Sequence, residues 1–206
     1  MILIPAIVVS AFAAALLHDR HPGFARFFKM AAATAVLVLV FALSPQASVY
    51  LFLIVVALAA SWIGDLALTL TSKFAFVIGL VAFAGAHIAY VAAFVSRSPL
   101  DPKALTISAA MMTAFAIIVL RWLAPHVPEE LRIPITVYVV IISVMVAVAF
   151  ATHATTPDIR IPIGAVAFAA SDLFVARQRF VRKSRMNRIV GLPLYFVAQI
   201  LFATTP

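Results

Sequence analysis

The chain has no cysteine and few acidic residues, seven Asp and Glu among 206 residues. Without cysteine there are no disulfides, no thiolate nucleophile and no cysteine-ligated metal. Charge of either sign is scarce: charged residues make up 11% of the chain, while 66% is hydrophobic. A soluble domain is about 45–50% apolar and about 25% charged, so a chain of this size has no way to bury so much apolar surface in water. Its solvent must be lipid. The excess of basic residues gives a net charge of +8. In such a chain that excess belongs to loops facing anionic headgroups, and nucleic acid is not an expected partner.

The apolar residues fall in eight runs, at 2–17, 27–43, 48–70, 74–95, 104–123, 133–153, 161–176 and 189–203. The runs are continuous, without the alternation of a transmembrane strand, and each approaches the ~20 residues a spanning helix needs. The breaks between them carry turn chemistry or charge (HDRHPG, SPQ, SRSPLDPK, APHVPEE, TTPD, RQRFVRKSRMNR). The N-terminal run has no basic flank and reads as a first span, not as a signal peptide. The expected fold is therefore all-α: one multi-pass transmembrane domain over residues 1–206, a bundle of about eight helices. Twelve of the fifteen Lys and Arg lie in or beside the connections after helices 1, 3, 5 and 7. The positive-inside rule puts those connections in the cytoplasm and both termini on the other side, as in a bacterial inner membrane.

Five of the seven acids lie in the breaks; only Asp65 and Asp172 lie inside apolar runs. A carboxylate at mid-membrane costs about 2.5–3.5 kcal/mol on insertion scales, so such residues face the bundle interior and mark function by default. Helices 3 and 7 run inward, which sets both acids a turn or two before their cytoplasmic ends. Counting along the outward-running helices brings Lys29, Tyr138 and Tyr195 to the same layer, with His87 and Tyr90 deeper, roughly 20 Å from that end. Gln199 follows Tyr195 by one turn on the same helix face. A short echo links the two acids: Ala59-Ala60-Ser61 precedes Asp65 as Ala169-Ala170-Ser171 precedes Asp172. Their separation of four helices preserves direction, as in a weak 4 + 4 parallel repeat.

The blocks Gly64-Asp65-Leu66, Gly85-Ala86-His87-Ile88-Ala89-Tyr90, Tyr138 with Met145, Gly164 to Asp172, and Leu192-Pro193-Leu194-Tyr195-Phe196-Val197-Ala198-Gln199 together resemble the signature of the YhhN family. The resemblance runs from Lys29 to Ala203 and implies a lysoplasmalogenase-like hydrolase. The substrate would be a 1-alkenyl lysophospholipid, cleaved at its vinyl ether bond to a fatty aldehyde and a glycerophospho-headgroup. Asp65 and Asp172 would share the acid and base work, as glycosidase carboxylates do, with the donor left open. Lys29 would hold the lipid phosphate, while His87, Tyr90, Tyr138, Tyr195 and Gln199 would orient water or substrate. No cofactor and no metal is called for: Asp65, His87 and Asp172 include metal-ligand types, but the chain has no HExxH spacing. Paired membrane acids also suit a proton-coupled transporter or lipid flippase, the alternative reading from another class.

Overall fold

A computed structural model describes residues 2–44 and 46–206. Among them are eight α-helices and no strand: α1 (Leu3–Leu17), α2 (Pro22–Leu43), α3 (Val49–Leu68), α4 (Lys73–Arg97), α5 (Pro102–Leu123), α6 (Glu129–Thr155), α7 (Arg160–Ala176) and α8 (Arg185–Ala203). Each apolar run thus forms one helix. Six are long and apolar enough to cross a membrane; α1 and α7 are shorter, with 15 and 17 residues. A π-helical turn, Arg177–Val181, extends α7. The helices begin where capping chemistry allows. Pro22 and Pro102 occupy first-turn positions, where their missing N–H is no loss. Ser48, Ser72, Asp101 and Ser184 accept first-turn N–H groups. Large apolar side chains such as Val9, Phe27, Phe52, Phe74, Val81 and Ile133 point out of the bundle, each more than 60% exposed, and only lipid makes that surface tolerable.

The bundle is assembled from consecutive antiparallel pairs. α3 packs closely on α4 and α7 on α8, while α1 pairs with α2 and α5 with α6. Small residues set the spacing where lipid supplies no hydrophobic drive between helices. A Cβ on Gly64 would lie 2.7 Å from the Phe83 ring, and one on Gly191 would lie 2.8 Å from Phe174 Cβ. Phe83 cannot swing aside freely, because its ring meets Phe168 and Tyr195 edge-on. Gly64→Ala is therefore expected to destabilise the bundle by about 1–3 kcal/mol through overpacking, read as a lower thermal midpoint in detergent. An unchanged midpoint would mean that the α3–α4 interface has slack.

Hydrogen bonds and ion pairs tie both ends. Asp19, after α1, pairs with Arg185 (3.2 Å) and Arg188 at the start of α8. At the opposite end Asp158 bridges Arg97 (3.1 Å) and Arg160 (2.8 Å), whose guanidiniums also donate to the Thr205 and Thr204 carbonyls. Burial pushes the Asp158 carboxyl up, but the two guanidiniums outweigh it and hold the group below its usual value.

Candidate acid-pair site

Asp65 and Asp172 both line one cavity of about 700 Å³, which opens at the end of the bundle carrying the basic connections. That volume is in the range of small-molecule sites, roughly 300–1,000 Å³. The two acids have different company. Asp65 is 1% exposed and fully paired: Lys29 Nζ lies 3.0 Å from its Oδ1, and the Tyr195 hydroxyl donates to its Oδ2 at 2.6 Å. The Asp172 side chain is 16% exposed, and no Lys or Arg among the described residues pairs with it. The Tyr138 hydroxyl donates to its Oδ2 at 3.1 Å, and His87 Nε2 stands 3.6 Å away. His87 is held from its other side, with Nδ1 against the Phe83 carbonyl of the preceding turn.

The partners follow the four-helix offset. Asp65 on α3 takes Lys29 from α2 and Tyr195 from α8. Asp172 on α7 takes Tyr138 from α6 and His87 from α4. Each acid thus draws one partner from the helix before it and one from the last helix of the other half. Phe83 and Phe168 stand among these groups: their rings pack edge-on with each other and with Tyr195, and Phe168 also meets His87 at 4.5 Å between centroids.

Three expectations from the sequence change here. His87, counted along α4 as deeper than the acid layer, reaches Asp172. Helical side chains lean toward their own N-terminus, so a residue on outward-running α4 leans back toward the basic end and one on inward-running α7 leans away from it. The two meet although their Cα positions count to different depths. Lys29 was expected near the start of its helix with its charge free for a phosphate. The helix begins earlier, at Pro22, and the ammonium is spent on Asp65, both on its carboxylate and on its backbone carbonyl at 3.3 Å. Tyr90 and Gln199 bond to each other at 2.9 Å, joining α4 to α8 away from the cavity wall. The Gln199 amide nitrogen and Ser61 hydroxyl have no partner there among the described residues. Asp65, His87 and Asp172 do not form a metal-type cluster: no group of three or more His, Asp or Glu side chains with that geometry occurs among the described residues.

The cavity mouth carries residues that the sequence reading used only for orientation. Arg26, Arg179, Lys183 and Arg188 line it. The Arg179 guanidinium lies over the Phe76 ring at 4.6 Å, which fixes its position. Asn187 orders the π turn behind them, bonding Arg177 (2.8 Å), Gln178 (3.0 Å) and the Arg182 carbonyl (2.8 Å). His18 also lines the mouth; burial, then the positive charges of Arg188, Lys29 and Arg26, hold its imidazole below the ordinary histidine value despite Asp19 beside it. The mouth is electropositive, and the basic run RQRFVRKSRMNR was the signal for it.

Comparison with known proteins gives a coherent set of relatives. The model of the YhhN family matches residues 24–205. Proteins named lysoplasmalogenase from Mycobacterium bovis and Mycobacterium tuberculosis are each 34% identical over 155 residues, 72% of this chain and 58% of theirs. Lysoplasmalogenase TMEM86B from Sus scrofa is 30% identical over 148 residues, 71% of this chain and 60% of that protein. The aligned stretch thus spans less than two thirds of each relative's length. No solved structure matches. With the family model covering nearly the whole bundle, the acids and their partners included, the chain belongs to the YhhN family.

Proposed function

We propose that the chain is a lysoplasmalogenase-like hydrolase that cleaves the vinyl ether bond of 1-alkenyl lysophospholipids. The observation that carries this reading is the pair of acids with unequal partners in one basic-mouthed cavity. Vinyl ether hydrolysis begins with a proton delivered to the alkene carbon remote from oxygen, leaving an oxocarbenium-like cation. Asp172 supplies that proton. It faces the cavity, and its fixed neighbours are a phenol and an imidazole, so a neutral carboxyl leaves no unpaired charge at this depth. Asp65 remains a carboxylate against Lys29 and stabilises the cation electrostatically. Water then adds to the cationic carbon next to oxygen, and its proton returns to Asp172. The resulting hemiacetal loses its hydroxyl proton as the bond to the glyceryl oxygen breaks and that oxygen is protonated. The products are a fatty aldehyde and a glycerophospho-headgroup, with one water consumed. Tyr138, His87 and Tyr195 hold the two carboxyl groups in place; Tyr90 and Gln199 brace the helices behind them. No cofactor enters these steps.

The basic mouth suits the headgroup phosphate, and Arg26, Arg179 and Lys183 take the part first assigned to Lys29, with Arg188 held by Asp19 at the rim. The positive-inside pattern directs this mouth to the cytoplasm. Arg179→Gln combined with Lys183→Gln is expected to raise KM for 1-alkenyl lysophospholipids about three- to tenfold with little change in kcat, the pattern of lost ground-state binding. Steady-state kinetics would show this; an equal fall in kcat would place these residues in the chemical step instead.

The deciding experiment incubates purified protein with 1-alkenyl and 1-acyl lysophospholipids and analyses products by mass spectrometry. Aldehyde from the alkenyl lipid alone supports the proposal. Intact lipid from a folded preparation overturns it, and lipid movement across vesicles without product would favour a flippase.

A further inference from the structure

The cavity that holds the acids has an apolar neighbour. A second apolar cavity of about 270 Å³ lies between α5 and α7, and Phe115, Val119, Leu173 and Phe174 line both spaces. Ile118 and Trp122 of α5 and Arg177 just after α7 complete its lining, with Ile118 67% exposed toward the lipid. The two halves of the bundle differ in how their first helix packs. α1 packs against both α2 and α8, which closes that flank. Its counterpart four helices on, α5, packs extensively on α6 and makes no comparable contact with another helix among the described residues. α5 therefore stands away from the rest of the bundle on the flank where the slot lies.

We infer that the α5–α7 slot receives the hydrocarbon chain of the substrate and is its route between the bilayer and the acid pair. This rests on the lysolipid reading above and adds the path of the chain. A single-chain lipid with a phosphate-bearing head has three parts, and three matching regions adjoin one another: a basic mouth, two acids and an apolar slot leading to lipid. Val119 and Leu173 would flank the chain where it passes from slot to acids, and Ile118 would meet it at the bilayer.

The test uses the whole protein, reconstituted in lipid nanodiscs, and a 1-O-alkyl lysophosphatidylcholine carrying a diazirine in mid-chain. This probe has no vinyl ether to cleave, so labelling is independent of turnover. Crosslinks mapped by mass spectrometry should fall on Phe115, Ile118, Val119, Trp122, Leu173 or Phe174, and unlabelled single-chain ether lipid should suppress them far better than diacyl lipid. Labels elsewhere, no labelling, or equal suppression by diacyl lipid would overturn the inference, the last because the slot would then be ordinary bilayer contact. In parallel, Ile118→Trp should lower the ratio of kcat/KM for long-chain over short-chain alkenyl substrates about tenfold relative to wild type; an unchanged ratio counts against the slot. If wild-type protein hydrolyses no vinyl ether while the crosslinks still map to the slot, the hydrolase reading fails and the chain route survives. Hydrolysis with labels elsewhere gives the reverse result.

Discussion

Asp172→Asn is expected to reduce vinyl ether hydrolysis by about 10²–10⁴-fold, the usual contribution of a positioned general acid. The amide fits the same space and still accepts from Tyr138, so the bundle should remain folded with a thermal midpoint close to wild type. That separation of activity from stability is what distinguishes a proton donor from a packing residue. The size of the loss follows from the neighbours. Among the described residues no other group at Asp172 is arranged to donate: Tyr138 spends its hydroxyl proton on the carboxyl, and His87 with its ring proton on the Phe83 carbonyl has none on the nitrogen that faces Asp172. Rates of aldehyde release from 1-alkenyl lysolipid would check it. Near-wild-type turnover in a folded Asp172→Asn protein would remove Asp172 from the chemistry and transfer the search for the donor to Asp65.

Lys29→Met is expected to cost about 3–5 kcal/mol of stability, because removing one partner of a buried ion pair strands the other. Asp65 would keep only the Tyr195 hydroxyl beside a carboxylate that is 2% exposed. Activity should fall as well, since the charge that stabilises the cation loses its anchor. The double variant Lys29→Met/Asp65→Asn removes both charges, and it should recover most of the lost thermal midpoint without recovering hydrolysis. Thermal unfolding of the three proteins in one detergent would decide this. A double variant no more stable than Lys29→Met would show that the lysine matters through its packing stem and not through the ion pair.

Some of this site can be read along the chain. Asp65 and Asp172 stand out because a carboxylate within an apolar run has a large transfer cost, a property of the residue and its immediate neighbours. Tyr138 and Tyr195 follow from helix direction and rise. Lys29 was legible as a residue of the same layer, but its role was not. Whether an ammonium reaches headgroups or a carboxylate depends on which face of α2 turns toward α3, and that is decided by packing such as the Trp62–Thr34 hydrogen bond between them at 3.1 Å. The contact of His87 with Asp172 is not legible for a related reason: counting Cα rise ignores the lean of side chains in opposed directions on antiparallel helices. The basic mouth was visible as a run of charge and was read only as a topological signal.

The sequence alone determines that lipid is the solvent, that eight apolar runs become helices, and that two acids must be sheltered inside the bundle. These outcomes depend on local quantities: apolar transfer free energy summed over a run, and backbone hydrogen bonds closed within each helix. Tertiary structure decides which acid is paired with the lysine and which with the imidazole, and which flank of the bundle is left open. Those depend on helix rotation and lean, set by contacts between residues far apart in the chain, such as Gly64 under Phe83 and α1 closing on α8 where α5 does not close on α4.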